Sequence, residues 1–159
     1  MITLPVWVVT LLILAVVLVV AAVWASAFAS RLNRLHVRTD AARISLEGAL
    51  RARSAVISTL QPELSQQVAH VNRVALRATD MGARSGAENE LLSQLDSDIF
   101  SQAAFVDAST RVDLAARFYN DAVADTLAVR ARPVARVLHL AGRAPLPEYY
   151  ESMQTGELA

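Results

Sequence analysis

The sequence predicts an all-α protein, a single N-terminal transmembrane helix continuing into an antiparallel up-down-up-down four-helix bundle. Three observations carry this. No charged side chain occurs between Met1 and Arg31. Beyond Arg31, apolar residues recur at spacings of three and four, the period of an amphipathic helix. No run alternates in the manner of a strand, and no Asn-Gly or Asp-Gly turn joins two apolar runs. The chain divides into a transmembrane anchor (1–30), a helical domain that shares the continuous first helix (31–143) and a loose C-terminal tail (144–159).

The anchor comes first. Pro5 to Phe28 is almost entirely Val, Leu, Ile, Ala and Trp. As a helix it spans roughly 36 Å, enough to cross a hydrocarbon core of about 30 Å with some tilt. Pro5 suits the first turn, where its missing N–H is not needed. Trp7 and Trp24 sit near the two ends, at the level of the lipid headgroups. Ala25-Ser26-Ala27-Phe28-Ala29 contains small-x-small patterns of the kind signal peptidase cleaves. Against cleavage stand an n-region without Lys or Arg, an apolar run longer than the usual h-region, and basic residues directly after it. An uncleaved anchor is expected. Arg31, Arg34, Arg38 and Arg43 crowd its C-terminal side, so the positive-inside rule places the N-terminus outside and the domain in the cytoplasm, at the plasma membrane.

The first helix does not stop at the interface. Leu32, Leu35, Thr39, Ala42, Leu46, Ala49, Arg53, Val56 and Leu60 form a heptad seam. One helix is predicted from Pro5 to Leu60, ended by Gln61-Pro62 because the residue before proline is pushed out of the α region. Pro62 opens a second helix, with Leu64, Val68, Val71, Ala75 and Ala78 as its apolar face, ending near Thr79-Asp80. A loop with Gly82 and Gly86 follows. A third helix starts near Ser85–Ala87, with Glu88 and Glu90 placed favourably in its first turn and Leu91, Leu92, Leu95 and Ile99 as its stripe. The next seam, Phe105, Ala108, Val112, Ala115, Tyr119, Ala122, Thr126 and Val129, is out of phase with that stripe. A break therefore falls between Asp96 and Thr110. Asp96-Ser97-Asp98 is the favoured cap of the fourth helix and Thr110 the other candidate. That helix runs to about Arg132, before Pro133. Val134 to Leu140 makes one more short amphipathic piece, and Gly142 ends it.

Composition narrows the chemistry. Fifteen basic residues balance fifteen acidic ones, all the basic residues being Arg. Such an Ala-, Val- and Arg-rich chain without Lys is typical of GC-rich, actinobacterial genomes. With no net positive charge, no aromatic residues interleaved with the arginines and no recognition-helix motif, nucleic acid is not an expected partner. The absence of Cys excludes disulfides, thiolate metal sites and a Cys nucleophile. His36, His70 and His139 fall on different elements without i,i+4 spacing, so no metal is expected. No Gly-rich phosphate loop, nucleophile elbow or calcium loop occurs, and no cofactor is implied.

The residues that stand out are polar ones on apolar seams. Arg53 occupies a seam position of the first helix. An ion pair with a carboxylate of the fourth helix, Asp113 or Asp121, would fix the register of the two. Alternatively, Arg53 in an apolar groove would bind an acidic small molecule. Tyr119 lies on the fourth seam, where a buried hydroxyl needs a polar partner. Asn120 is unfavourable in mid-helix and is expected to hydrogen-bond across helices. Arg132 and Arg136, with Arg130 and Arg143, either compensate a helix C-terminus or lie near anionic headgroups.

Two stretches resemble the LemA family of bacterial membrane-anchored helical proteins. In DAARISLEGALRARSAVISTL (40–60), Asp40, Ala42, Leu46, Leu50, Arg51, Arg53, Val56, Ile57 and Leu60 fall on the family pattern without a gap. In RVDLAARFYNDAV (111–123), Arg111, Val112, Ala115, Arg117, Tyr119, Asn120, Ala122 and Val123 match its second signature. Ser109 replaces the family's Glu, and Thr126-Leu127 stand where a second Tyr-Asn is expected. The Tyr-Pro segment before the last helix has no counterpart. The resemblance implies a long anchored helix leading into a cytoplasmic four-helix bundle, and it brings no established enzymatic activity with it. The expected role is that of a non-enzymatic scaffold or accessory subunit in a larger membrane complex (envelope, secretion or respiratory-chain). Its partners would be the lipid bilayer and other membrane-protein subunits. The alternative is an anchored sensor or ligand-binding module that uses a groove around Arg53.

Overall fold

The computed structural model describes residues 5–131 and 145–151. It is all-helical, with four α-helices and no strand among the described residues. The first, α1, runs unbroken from Val6 to Leu60, 55 residues. Pro5 stands at its cap, with its carbonyl accepting the Val8 N–H at 2.9 Å. At 1.5 Å per residue α1 is about 80 Å long. Its N-terminal part is long and apolar enough to cross a membrane, and none of that window is buried among the described residues. Val6 is 82% exposed and Leu18 60%.

The helix enters the core at Leu32. The whole α1 seam is buried or half-buried, and Leu50, Ser54 and Ile57 widen it on one side. A 3₁₀ turn, Pro62–Leu64, leads into α2, Ser65–Arg73. Next come α3, Met81–Ser93, a second 3₁₀ turn, Ile99–Ser101, and α4, Ala103–Arg130. Every residue of the Phe105-to-Val129 seam is buried.

Helices α1 and α4 form the long antiparallel pair. The Thr39 and Thr126 hydroxyls meet at 3.0 Å near one end of it, and Ile57 and Phe105 share a core cluster at the other. The shorter α2 and α3 pack on one flank. Val68, Val71, Leu91 and Leu92 join that distal cluster, while Leu76 and Met81 join a second one with Leu46, Leu50, Val112, Tyr119 and Val123.

Three boundaries differ from the sequence reading, each for a tertiary reason. Helix α2 stops at Arg73, short of Thr79-Asp80, because Val74 turns extended (ψ 112°). The carbonyls released there are taken by arginines from elsewhere, Val74 O by Arg84 and Leu76 O by Arg43. Leu76 can then drop into the core. Helix α3 begins at Met81, so Gly82 and Gly86 lie inside it rather than in a loop. Its start is fixed by the distant Glu148 carboxylate, which accepts the Met81 N–H at 3.2 Å. The break before α4 falls in the expected window, but Gln102 is the cap, not Asp96–Asp98 or Thr110. Asp96 is engaged by Gln61 at 2.6 Å instead.

The C-terminal residues 145–151, expected as loose tail, lie against the helices, with Tyr150 3% exposed in the core. The segment with Arg132, Arg136, His139 and Arg143 lies outside the described residues.

Candidate functional site

Of the residues singled out by the sequence, Arg53, Tyr119 and Asn120 lie at an internal polar centre and the strap beside it. Arg53, on α1, is 2% exposed. Its Nη2 donates to Glu88 Oε2 at 3.0 Å. Glu88, 1% exposed on α3, accepts on its other oxygen from Arg84 Nε at 3.0 Å. Arg84 continues outward to Val74 O at 2.8 Å and to Asn72 Oδ1 at 3.3 Å. One carboxylate is thus shared by two guanidiniums, each deep in the apolar interior. Charges placed there persist only when paired and hydrogen-bonded.

Arg53 therefore pairs with α3, not with α4 as expected. Asp113 is half-buried and Asp121 exposed, and neither makes an ion pair among the described residues. In the corresponding stretch of α4 the buried residues are Ala108, Ser109 and Val112, none of them charged. Glu88, expected in a first helical turn, sits two turns inside α3. Two cavities among the described residues lie away from Arg53. One, of about 330 Å³, lies between α2 and α3 beside Gln66, His70, Glu90 and Gln94. The other, of about 390 Å³, lies beside Thr39, Arg43, Thr126 and Pro147.

Tyr119 and Asn120 do the second job. Asn120 does not bridge helices. Its side-chain amide clasps the Tyr150 backbone in both directions, Nδ2 to Tyr150 O at 3.0 Å and Tyr150 N to Oδ1 at 2.9 Å. Tyr119 Oη donates to Glu148 O at 2.9 Å. Glu148 N reaches Ala78 O at 2.7 Å, and Arg130 Nη1 reaches Pro145 O at 3.2 Å. An extended strap without secondary structure of its own is fastened mainly through its backbone. Its anchor is the Tyr150 ring, inserted beside the polar centre.

Burial pushes the Tyr119 phenol up to about 12, with Glu148 adding to the rise and Arg43 opposing it. Burial likewise lifts Tyr150 to about 12, with Glu88 reinforcing it and Arg53 and Arg84 opposing. Both phenols stay protonated at neutral pH; Tyr119 donates to the strap, whereas Tyr150 Oη is buried without a hydrogen-bond partner among the described residues. Arginine gives up no proton in a protein. Through Glu88 the centre ties α1 to α3.

Among the described residues no three His, Asp or Glu side chains gather as metal ligands. His36 and His70 sit on α1 and α2. At the apolar end, Trp7 is 67% exposed and Trp24 50%. Trp24 stacks on Phe28 at 6.0 Å, one turn before the exposed Arg31 and Arg34. Sequence reasoning missed Glu88 as the partner, and missed Arg84, Glu148 and Tyr150. The i,i+4 pair Arg84/Glu88 was the available signal for the first two; nothing local marks the strap.

No family model, curated protein or solved structure matches the chain. The stretches 40–60 and 111–123 lie on α1 and α4 and face each other, with Leu46 and Leu50 packed in one cluster with Val112, Ala115, Tyr119 and Val123.

Proposed function

We propose that the chain is a non-enzymatic, single-pass membrane protein of LemA-like type, acting as a scaffold or accessory subunit of a larger membrane complex. The carrying observation is α1 itself. One helix holds a bare apolar stretch and, without a break, half of the α1–α4 pair. Exposed apolar surface on that scale needs lipid or protein cover. The polar centre supports the same reading, since it points inward and leaves no constellation of reacting groups open to substrate. The facing of the two motif stretches across the core favours the LemA resemblance, and with it an antiparallel up-down-up-down bundle.

In this reading the N-terminus lies outside the plasma membrane. Arg31, Arg34, Arg38 and Arg43 stay on the cytoplasmic side, and the domain follows them. Envelope, secretion or respiratory-chain subunits are the fitting partners. Purification in mild detergent through a C-terminal tag tests the proposal. A stoichiometric membrane partner is expected; a lone chain, with no other subunit bound, would overturn it.

A further inference from the structure

Residues 145–151 meet the helices in the way a bound peptide meets its receptor. The segment has no helix or strand of its own. Most of its hydrogen bonds go to its backbone. Asn120 pairs with both Tyr150 N and Tyr150 O, Tyr119 donates to Glu148 O and Arg130 to Pro145 O. Contacts of that kind accept any extended chain and leave specificity to the side chains. Only two side chains of the segment are read. The Glu148 carboxylate accepts the Met81 N–H at the start of α3, a helix of 13 residues whose N-terminus favours negative charge. The Tyr150 ring is buried, 3% exposed, whereas Leu146 is 57% exposed and Tyr149 48%. The buried ring does not fully suit its seat. Tyr150 Oη is enclosed without a hydrogen-bond partner. A hydroxyl buried in that state costs stability, and a phenyl ring in the same place avoids the cost.

We propose that the seat of 145–151 is a peptide-docking site, that the chain's own segment fills it as an internal ligand, and that an extended Glu-x-Phe segment of a partner protein takes its place. The seat reads a carboxylate, then an aromatic ring two residues on, with the Asn120 amide fixing the backbone at the ring. Pro145 and Pro147 keep the internal ligand extended before it binds, which lowers the entropy lost in seating it. The missing partner of Tyr150 Oη makes that ligand a weaker occupant than a Phe-bearing one. The groove lies wholly in the helical domain, so the inference stands apart from the membrane reading.

The test uses the full-length chain in lipid nanodiscs and a fluorescein-labelled peptide, Pro-Leu-Pro-Glu-Tyr-Tyr-Glu, the sequence of 145–151, read by fluorescence polarisation. Tyr150→Ala in the chain frees the seat. It should tighten peptide binding at least about tenfold over wild type, where the tethered segment competes at an effective concentration on the order of millimolar. A peptide with Phe for its second Tyr should bind about fivefold tighter still, and one with Gln for its first Glu should bind more weakly. Adding Asn120→Asp, which keeps the size but loses the donor, should abolish binding. Binding that survives Asn120→Asp overturns the proposal, as does no binding to a Tyr150→Ala chain that circular dichroism shows to be folded. If that variant does not fold, hydrogen exchange on the wild-type chain decides. The Tyr150 amide should exchange at least about tenfold faster than those of Leu50 and Val112 in the core, and excess Phe peptide should speed it further. Exchange at the core's rate, unmoved by the peptide, makes 145–151 a fixed part of the fold and removes the docking site.

Discussion

The pair Arg53–Glu88 shows why a buried charge is best judged by what its removal leaves behind. Glu88→Ala strands two buried guanidiniums and should destabilise the fold by about 3–5 kcal/mol, read as a lowered urea midpoint. Arg53→Met should do less damage, since Glu88 keeps Arg84 at 2.8 Å. Asp113→Asn and Asp121→Asn should leave the midpoint unmoved, which separates the observed pairing from the one expected from sequence. Tyr119→Phe removes a single bond to the strap and should cost about 1 kcal/mol. The two tyrosines also set a pH limit. Their folded pKa values, about 12, lie above the ordinary 10, so the unfolded chain loses these protons first. Stability should hold below pH 10 and fall between pH 10 and 12, as measured by denaturation at fixed urea; Tyr150→Phe should reduce the slope. At this scale the sequence was half legible. Arg53, Tyr119 and Asn120 betray themselves as polar residues in seams. Their partners do not, because Glu88 and the 148–150 backbone are brought in by the fold and not by any local spacing.

The elements divide along the same line. Both ends of α1 are legible, since Pro5 and Gln61-Pro62 restrict the backbone locally. The α4 seam is legible because 28 residues sample its period many times. The middle helices are not. Arg43 and Arg84 decide where α2 ends, and Glu148 decides where α3 begins, across 67 residues of chain. A glycine inside α3 accordingly reads as a loop. Nothing lies within 4 Å of a Cβ added at Gly86. Gly86→Ala should therefore stabilise the protein by about 0.5–1 kcal/mol, a gain in thermal midpoint that a loop glycine with positive φ would reverse.

The whole molecule is a long rod with its mass at one end. The all-α class and the long first helix with its apolar stretch were legible; the strap laid across the helices was not. A reporter fused after Ala159 should be active in the cytoplasm, and activity only in the periplasm would reverse the orientation. The continuity of α1 has one more consequence. From Arg31 to Leu60 the helix rises about 44 Å with no hinge, and the α2–α3 groove by Gln66 and Gln94 sits at the far end. For an anchored chain this is a built-in ruler. With α1 along the membrane normal, that groove would lie about 40 Å from the bilayer, a distance set by the helix rather than by a linker.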